Sequence, residues 1–171
     1  MTLEASTFGA AFDKLPVETR CEIIRQLTIR KHRYIQALMR GYSTSTRAVI
    51  IGDTPGPGRP TNPRYHNTPF YSTKNSSLWL NRQLVEAGID ESKLLWFNAM
   101  LANGTDLPGH HIADLFDLKP VPWFFVLGGK AEMWMRRVAP TTAYTKVFHP
   151  QYVKRFRAGE PYELIKLLKI V

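Results

Sequence analysis

The run "RAVIIGDTPGPGRP", residues 47–60, decides the fold. Its first half, Ala48 to Ile51, is short, apolar and rich in β-branched residues, the composition of a central strand buried on both faces. Its second half alternates Pro with Gly, which stops the strand and sets the loop's shape in advance. The same pattern of apolar run and sharp stop recurs downstream. "KLLWFNA" (93–99) predicts a second buried strand, "PWFFVLG" (122–128) a third and "YTKVFHP" (144–150) a fourth. Between them, "SSLWLNRQLVEAGID" (76–90) has Ser76 or Ser77 as N-cap, apolar residues at helical spacing and Gly88 as the stop. "HHIADLFDL" (110–118), "KAEMWMRRV" (130–138), "QYVKRF" and "PYELIKLLKI" supply further helices. Strands alternating with helices predict an α/β fold, a three-layer α/β/α sandwich on a central four-stranded, largely parallel sheet.

Upstream, from about Leu15 to Tyr42, Ile23, Ile24, Leu27, Tyr34, Ile35 and Leu38 recur at helical spacing with Arg20, Arg25, Arg30 and Arg33 between them. The expectation is a long N-terminal helix with one core face and one basic face. With 171 residues, 44% of them apolar, the chain suits a single domain over 1–171, its core at about 47–158.

Twenty-three Lys and Arg against fourteen Asp and Glu give a formal charge of +9, which favours a polyanionic partner such as nucleic acid or an anionic membrane. The opening "MTLEASTFGAAFDKL" has neither the basic start nor the apolar run of a signal peptide, and no apolar stretch reaches the ~20 residues of a membrane span. A soluble, cytoplasmic protein is expected. The lone Cys21 excludes an internal disulfide and any multi-cysteine metal site, and its place in an apolar pattern reads as burial.

In open α/β sheets the site lies beyond the carboxyl ends of the strands. Those ends carry Gly52-Asp53, Asn98, Gly128-Gly129 and His149-Pro150. "GDTPGPGRP" matches neither a P-loop nor a Gly-x-Gly-x-x-Gly fingerprint, and its prolines remove donors that a phosphate cradle needs. What remains is a preformed wall whose glycines let another molecule approach the backbone, as needed to hold a planar group against Asp53. The loop from Asp53 to Asn75, with five prolines and two glycines, has the length of a functional loop. Each residue also has a plainer reading. Asp53 could brace a turn, Phe70 pack in the core, Asn98 close a strand and His149 serve structurally. His110 and His111 read as a solvated helix start rather than a metal site, and "WFF" (123–125) reads as core strand rather than stacking platform.

Taken in order, Gly-Asp-Thr-Pro-Gly after the first strand, "PF" (69–70) before a helix, "FNA" (97–99), "VLGGKA" (126–131) and "HPQYV" (149–153) resemble the uracil-DNA glycosylase superfamily over roughly residues 47–158. The resemblance implies base flipping and hydrolysis of an N-glycosidic bond without metal or other cofactor. It assigns catalysis to Asp53 and His149, stacking on the base to Phe70, recognition of the base edge to Asn98, and the wall of the base site to Gly52, Thr54 and Gly56. The implied partner is DNA, single- or double-stranded, bound by a monomer with no membrane role. Arg59, Lys74, Tyr152, Lys154, Arg155 and Arg157 are the expected DNA contacts; Lys154, Arg155 and Arg157 stand just past the His-Pro, where phosphates flank an extruded nucleotide. Tyr152 or Val153 is the candidate to fill the gap in the base stack.

Two departures stand out. The motif reads Asp-Thr where relatives show Gln-Asp, Glu-Ala, Ile-Asn or Met-Asn, and the four iron-sulfur cysteines of the Glu-bearing branch are missing. Position 56 is Gly where the strictly uracil-specific branch has a Tyr that bars C5 substituents, which implies a site open to C5-modified pyrimidines such as those of some viral DNAs. Cellular repair and antiviral defence use the same chemistry. Two alternatives stay open: a catalytically silent DNA-binding protein of this fold, and a nucleoside or nucleotide hydrolase.

Overall fold

In the computed structural model the described residues are 16–19, 40–41, 46–54, 68–71, 75–109 and 122–171. Four strands form one sheet: β1 (Ala48–Gly52), β2 (Leu94–Asn98), β3 (Trp123–Leu127) and β4 (Thr145–Val147). Their order is β2-β1-β3-β4 and every pairing is parallel. Among the described residues the full helices are α1 (Asn75–Glu86), α2 (Gly129–Val138), α3 (Pro150–Phe156) and α4 (Glu163–Leu168), with a 3₁₀ turn at Glu91–Lys93.

Period-two alternation along β1 sorts the core into two layers. Val49 and Ile51 face the side where Ala131, Trp134 and Met135 of α2 pack with Leu95, Phe97, Phe124 and Val126. Ala48 and Ile50 face the opposite side, with Leu80 and Leu84 of α1, Val153 of α3, and Leu164, Ile165 and Leu168 of α4. Helices on both faces of an all-parallel sheet make the expected three-layer sandwich. They also explain why β1 and β2 read as unbroken apolar runs: every residue in each is buried.

Local chemistry sets the element ends. Gly88, at φ +66°, closes α1 with Gly88 N–H donating to Val85 O at 3.0 Å and Ile89 N–H to Leu84 O at 3.1 Å, a Schellman pair that turns Ile89 back onto the core. β4 is shorter than the expected 144–150. After Val147 the Phe148 carbonyl accepts from Tyr162 Oη at 2.6 Å, and His149 becomes the N-cap of α3 with Pro150 at its first position. Burial pushes the Tyr162 phenol well above its ordinary range, so it donates and stays neutral.

The N-terminal helix expected to run to Tyr42 does not extend through Arg40 and Gly41. Arg40 is in an antiparallel bridge with Trp96, the two exchanging backbone hydrogen bonds of 2.9 Å each, and Gly41 has φ +72°. Backbone pairing with the outer edge of β2 therefore wins over helical periodicity here. Residues 17–19 are helical; the rest of that segment, Cys21 included, lies outside the described residues, as does the expected helix at 110–118. No helix among the described residues is long and apolar enough to cross a membrane.

Candidate active site

The chain leaves β1 through α1 to β2 on one side, then returns past β1 to β3 and continues through α2 to β4 on the other. α1 and α2 lie on opposite faces, so the connections leaving the carboxyl ends of β1 and β3 run to opposite sides of the sheet, the arrangement that makes the crevice where parallel sheets hold ligands. Asp53, the residue after β1, stands in that crevice. Its Oδ1 accepts the backbone N–H of Ala131 at 2.7 Å, at the third position of α2. A carboxylate there satisfies one of the orphan donors of the helix and sits at the positive end of its dipole. The helix has no side-chain cap of its own because its N-cap is Gly128.

Gly128 has two reasons to lack a side chain. Its φ of +102° is strained for any L residue, and a Cβ there would stand 2.7 Å from Asp53 Oδ2. Gly52 is required differently. A Cβ on it would overlap Asn98 Oδ1 and meet Phe70 Cε2 at 3.5 Å, so the missing side chain lets the amide and the ring close over the end of β1. Pairing continues beyond the strands, with Ala99 N–H donating to Gly52 O at 2.8 Å and Met100 N–H to Asp53 O at 2.9 Å. These bonds lock Asn98, which is 5% exposed, against the Gly52-Asp53 turn.

Phe70 is the only non-glycine residue at positive φ (+54°) among the described residues. A bulky residue in the left-handed region costs about 1–2 kcal/mol and persists only where its surroundings hold it. Here Arg40 and Asn81 do so: Arg40 Nη1 donates to Phe70 O at 3.2 Å and to Pro69 O at 3.4 Å, and Asn81 Nδ2 donates to Phe70 O at 2.9 Å. Arg40 Nη2 in turn reaches Asn81 Oδ1 at 2.6 Å and Glu91 Oε1 at 2.8 Å, and the guanidinium lies 5.2 Å from the Trp96 ring centre. The partly buried Phe70 ring meets Trp96 edge-on at 5.8 Å and His149 at 5.8 Å.

His149 Nδ1 accepts the Gln151 N–H at 3.1 Å, which places the single proton of the neutral imidazole on Nε2. Burial holds the imidazole below its ordinary value of 6.5, while the negative charge of Asp53 pulls the other way. The result is a neutral N–H donor beside Phe70, with a carboxylate across the crevice and a buried amide at the next strand end.

Asp53, Gly52, Phe70, Asn98 and His149 thus come together at one edge of the sheet. Thr54, partly buried, follows Asp53 directly. Gly56, Arg59 and Lys74 lie outside the described residues. Tyr152, Lys154, Arg155 and Arg157 are exposed, on or just past α3, and lead away from the site. Val153 is 4% exposed in the core, so burial removes it as a candidate to enter a base stack. Among the described residues no group of three or more His, Cys, Asp or Glu is placed to hold a metal ion.

Sequence reading missed Arg40 and Asn81. Arg40 was not singled out within the expected helix, although Gly41 directly after it is a helix-stop signal. No protein-family model matches the chain, and no curated protein is significantly similar to it.

Proposed function

We propose that the chain is a DNA glycosylase that receives an extruded pyrimidine nucleotide at this strand-end site and hydrolyses its N-glycosidic bond. The observation that supports the reading is the meeting of Asp53, Phe70, Asn98 and His149 at one crevice from four separate parts of the sequence. Phe70 stacks on the base, and the buried Asn98 amide reads its hydrogen-bonding pattern. As the C1′–N bond breaks, its electron pair moves into the base. The His149 Nε2–H stabilises the resulting oxyanion, and Asp53 steadies the positive charge on the sugar. Water then adds at C1′ and the proton it loses passes through solvent to the departed base anion, leaving the neutral free base and an abasic site. The basic charge holds phosphates on either side. With Gly at position 56 the site takes uracil and also pyrimidines substituted at C5, in repair or in defence against viruses with modified DNA.

The test is release of base from oligonucleotides carrying one uracil or one C5-substituted pyrimidine, scored by alkaline cleavage of the abasic strand. Asp53→Asn keeps an acceptor for Ala131 N–H, so it should lower turnover by about 100-fold or more while DNA affinity holds. Equal loss of turnover and affinity refutes the catalytic role. One observation favours a second reading, a silent DNA-binding protein: the Asp53 carboxylate is already engaged at the start of α2. Salt-sensitive DNA binding with no base released from any substrate selects it. Base release from free nucleosides but not from DNA selects a nucleoside hydrolase.

A further inference from the structure

Three aromatic side chains stand exposed in a line beginning beside His149. Phe148, Tyr152 and Phe156 are 51%, 40% and 69% exposed. Their spacing of four residues puts them on one face of α3 and its lead-in. The rings touch in sequence, with centroids 4.8 Å apart for Phe148 and Tyr152 and 5.3 Å apart for Tyr152 and Phe156. Arg157 folds back over this strip, 5.2 Å from the Phe148 ring centre, and its Nη1 donates to Glu160 Oε2 at 3.2 Å. Lys154 and Arg155 are exposed on the same helix.

Leaving three large rings in water forfeits burial worth having, and a contiguous strip of this kind signals a binding surface. Its occupant is indicated by charge and by the flat faces of the rings. The last part of the chain, residues 130–171, carries nine Lys or Arg against three acids, which complements a polyanion and repels cationic partners. Unpaired bases offer flat faces to aromatic rings, whereas bases in a duplex are already stacked on one another at ~3.4 Å per step.

We propose that Phe148, Tyr152 and Phe156 form a stacking platform for consecutive unpaired bases of a single-stranded nucleic acid, with Lys154, Arg155 and Arg157 on its phosphates. This deepens the glycosylase reading, on which the platform's link to an extruded base rests, by naming an unpaired strand as the substrate class. The binding itself needs no chemistry.

The experiment measures fluorescence anisotropy of labelled oligothymidylate, of an all-abasic strand of equal length and of a duplex, at fixed salt. The wild-type chain should bind the base-bearing strand more tightly than the abasic one. Phe156→Ala and Phe148→Ala should each weaken base-bearing single strand by about 5-fold to 100-fold, and leave the abasic strand and the duplex unchanged. Phe156→Trp should restore the loss, and thermal melts of all variants should match the wild type. Arg155→Ala should weaken all three ligands and make the salt dependence shallower. Equal wild-type affinity for base-bearing and abasic strands overturns the proposal, as do alanine variants that bind oligothymidylate normally. Base release is scored separately. A chain that stacks bases without releasing any keeps the platform and loses the glycosylase reading, and the converse result does the reverse.

Discussion

His149 offers a prediction whose sign follows from two opposed forces. Burial disfavours its charged form and is the larger influence, while Asp53 favours that form. Its Nδ1 also accepts from Gln151 N–H, a bond that protonation at Nδ1 abolishes. The folded chain therefore takes up this proton at lower pH than the unfolded chain, whose imidazole titrates near 6.5. Above that pH both states are neutral and the stability is whole. As pH falls from 6.5 towards the folded-state value, only the unfolded chain gains the proton, and stability drops by at most about 1.4 kcal/mol per pH unit; below the folded-state value the loss is complete. His149→Asn is the matched control, because Asn is a strong N-cap and retains an acceptor for Gln151 N–H. The assay is urea denaturation of both proteins from pH 8 to about 4.5, with the wild-type imidazole followed by NMR. The wild type should lose stability relative to His149→Asn on acidification, only below pH 6.5. A flat difference, or a wild type that gains on acidification, would mean that the attraction of Asp53 outweighs burial and would refute the argument. Asp53→Asn removes that attraction and should move the imidazole titration further down.

Gly52→Ala should force the Asn98 amide out of place, costing about 1–3 kcal/mol of stability as an overpacked site and lowering base release by more than the melting shift explains. A variant with wild-type turnover would show that the amide's position does not matter. Arg40→Ala removes charged hydrogen bonds to the carbonyl of Phe70 and to Asn81, worth about 1.5–3 kcal/mol, or a fall in melting temperature of about 3–12 °C for a chain of this size. Arg40→Lys should recover little of it, since one ammonium does not span the four acceptors that the guanidinium fork reaches. Calorimetry of the two variants checks both.

The parts of the fold that rest on local composition were legible before any coordinates. β1, β2 and β3 fall within one residue of the apolar runs at 47–52, 93–99 and 122–128, because a strand buried on both faces has no polar position to blur its outline. Strand ends likewise pointed to Asp53, Asn98 and His149. What depends on distant partners was hidden. Asp53 reaches a backbone N–H 78 residues away, and neither its loop nor the helix betrays the pairing. The basic periodicity of 15–42 concealed that Arg40 pairs with Trp96 rather than adopting helical structure. His149 was read as the end of a strand and is the cap of a helix, since Pro150 both stops the one and starts the other.

The paired glycines of "VLGGKA" also divide in their tolerance of change. Gly128, bound by its positive φ and by Asp53, is closed to every other residue. At Gly129, the first residue of α2, an added Cβ meets nothing within 4 Å and the backbone is already helical. Ala there should even stabilise the chain by about 0.4–1 kcal/mol through the unfolded state. Descent can therefore erase half of this motif without touching the site. A pattern for finding distant kin should fix Gly at 128, leave 129 free, and tie the first to an acidic residue directly after the first strand.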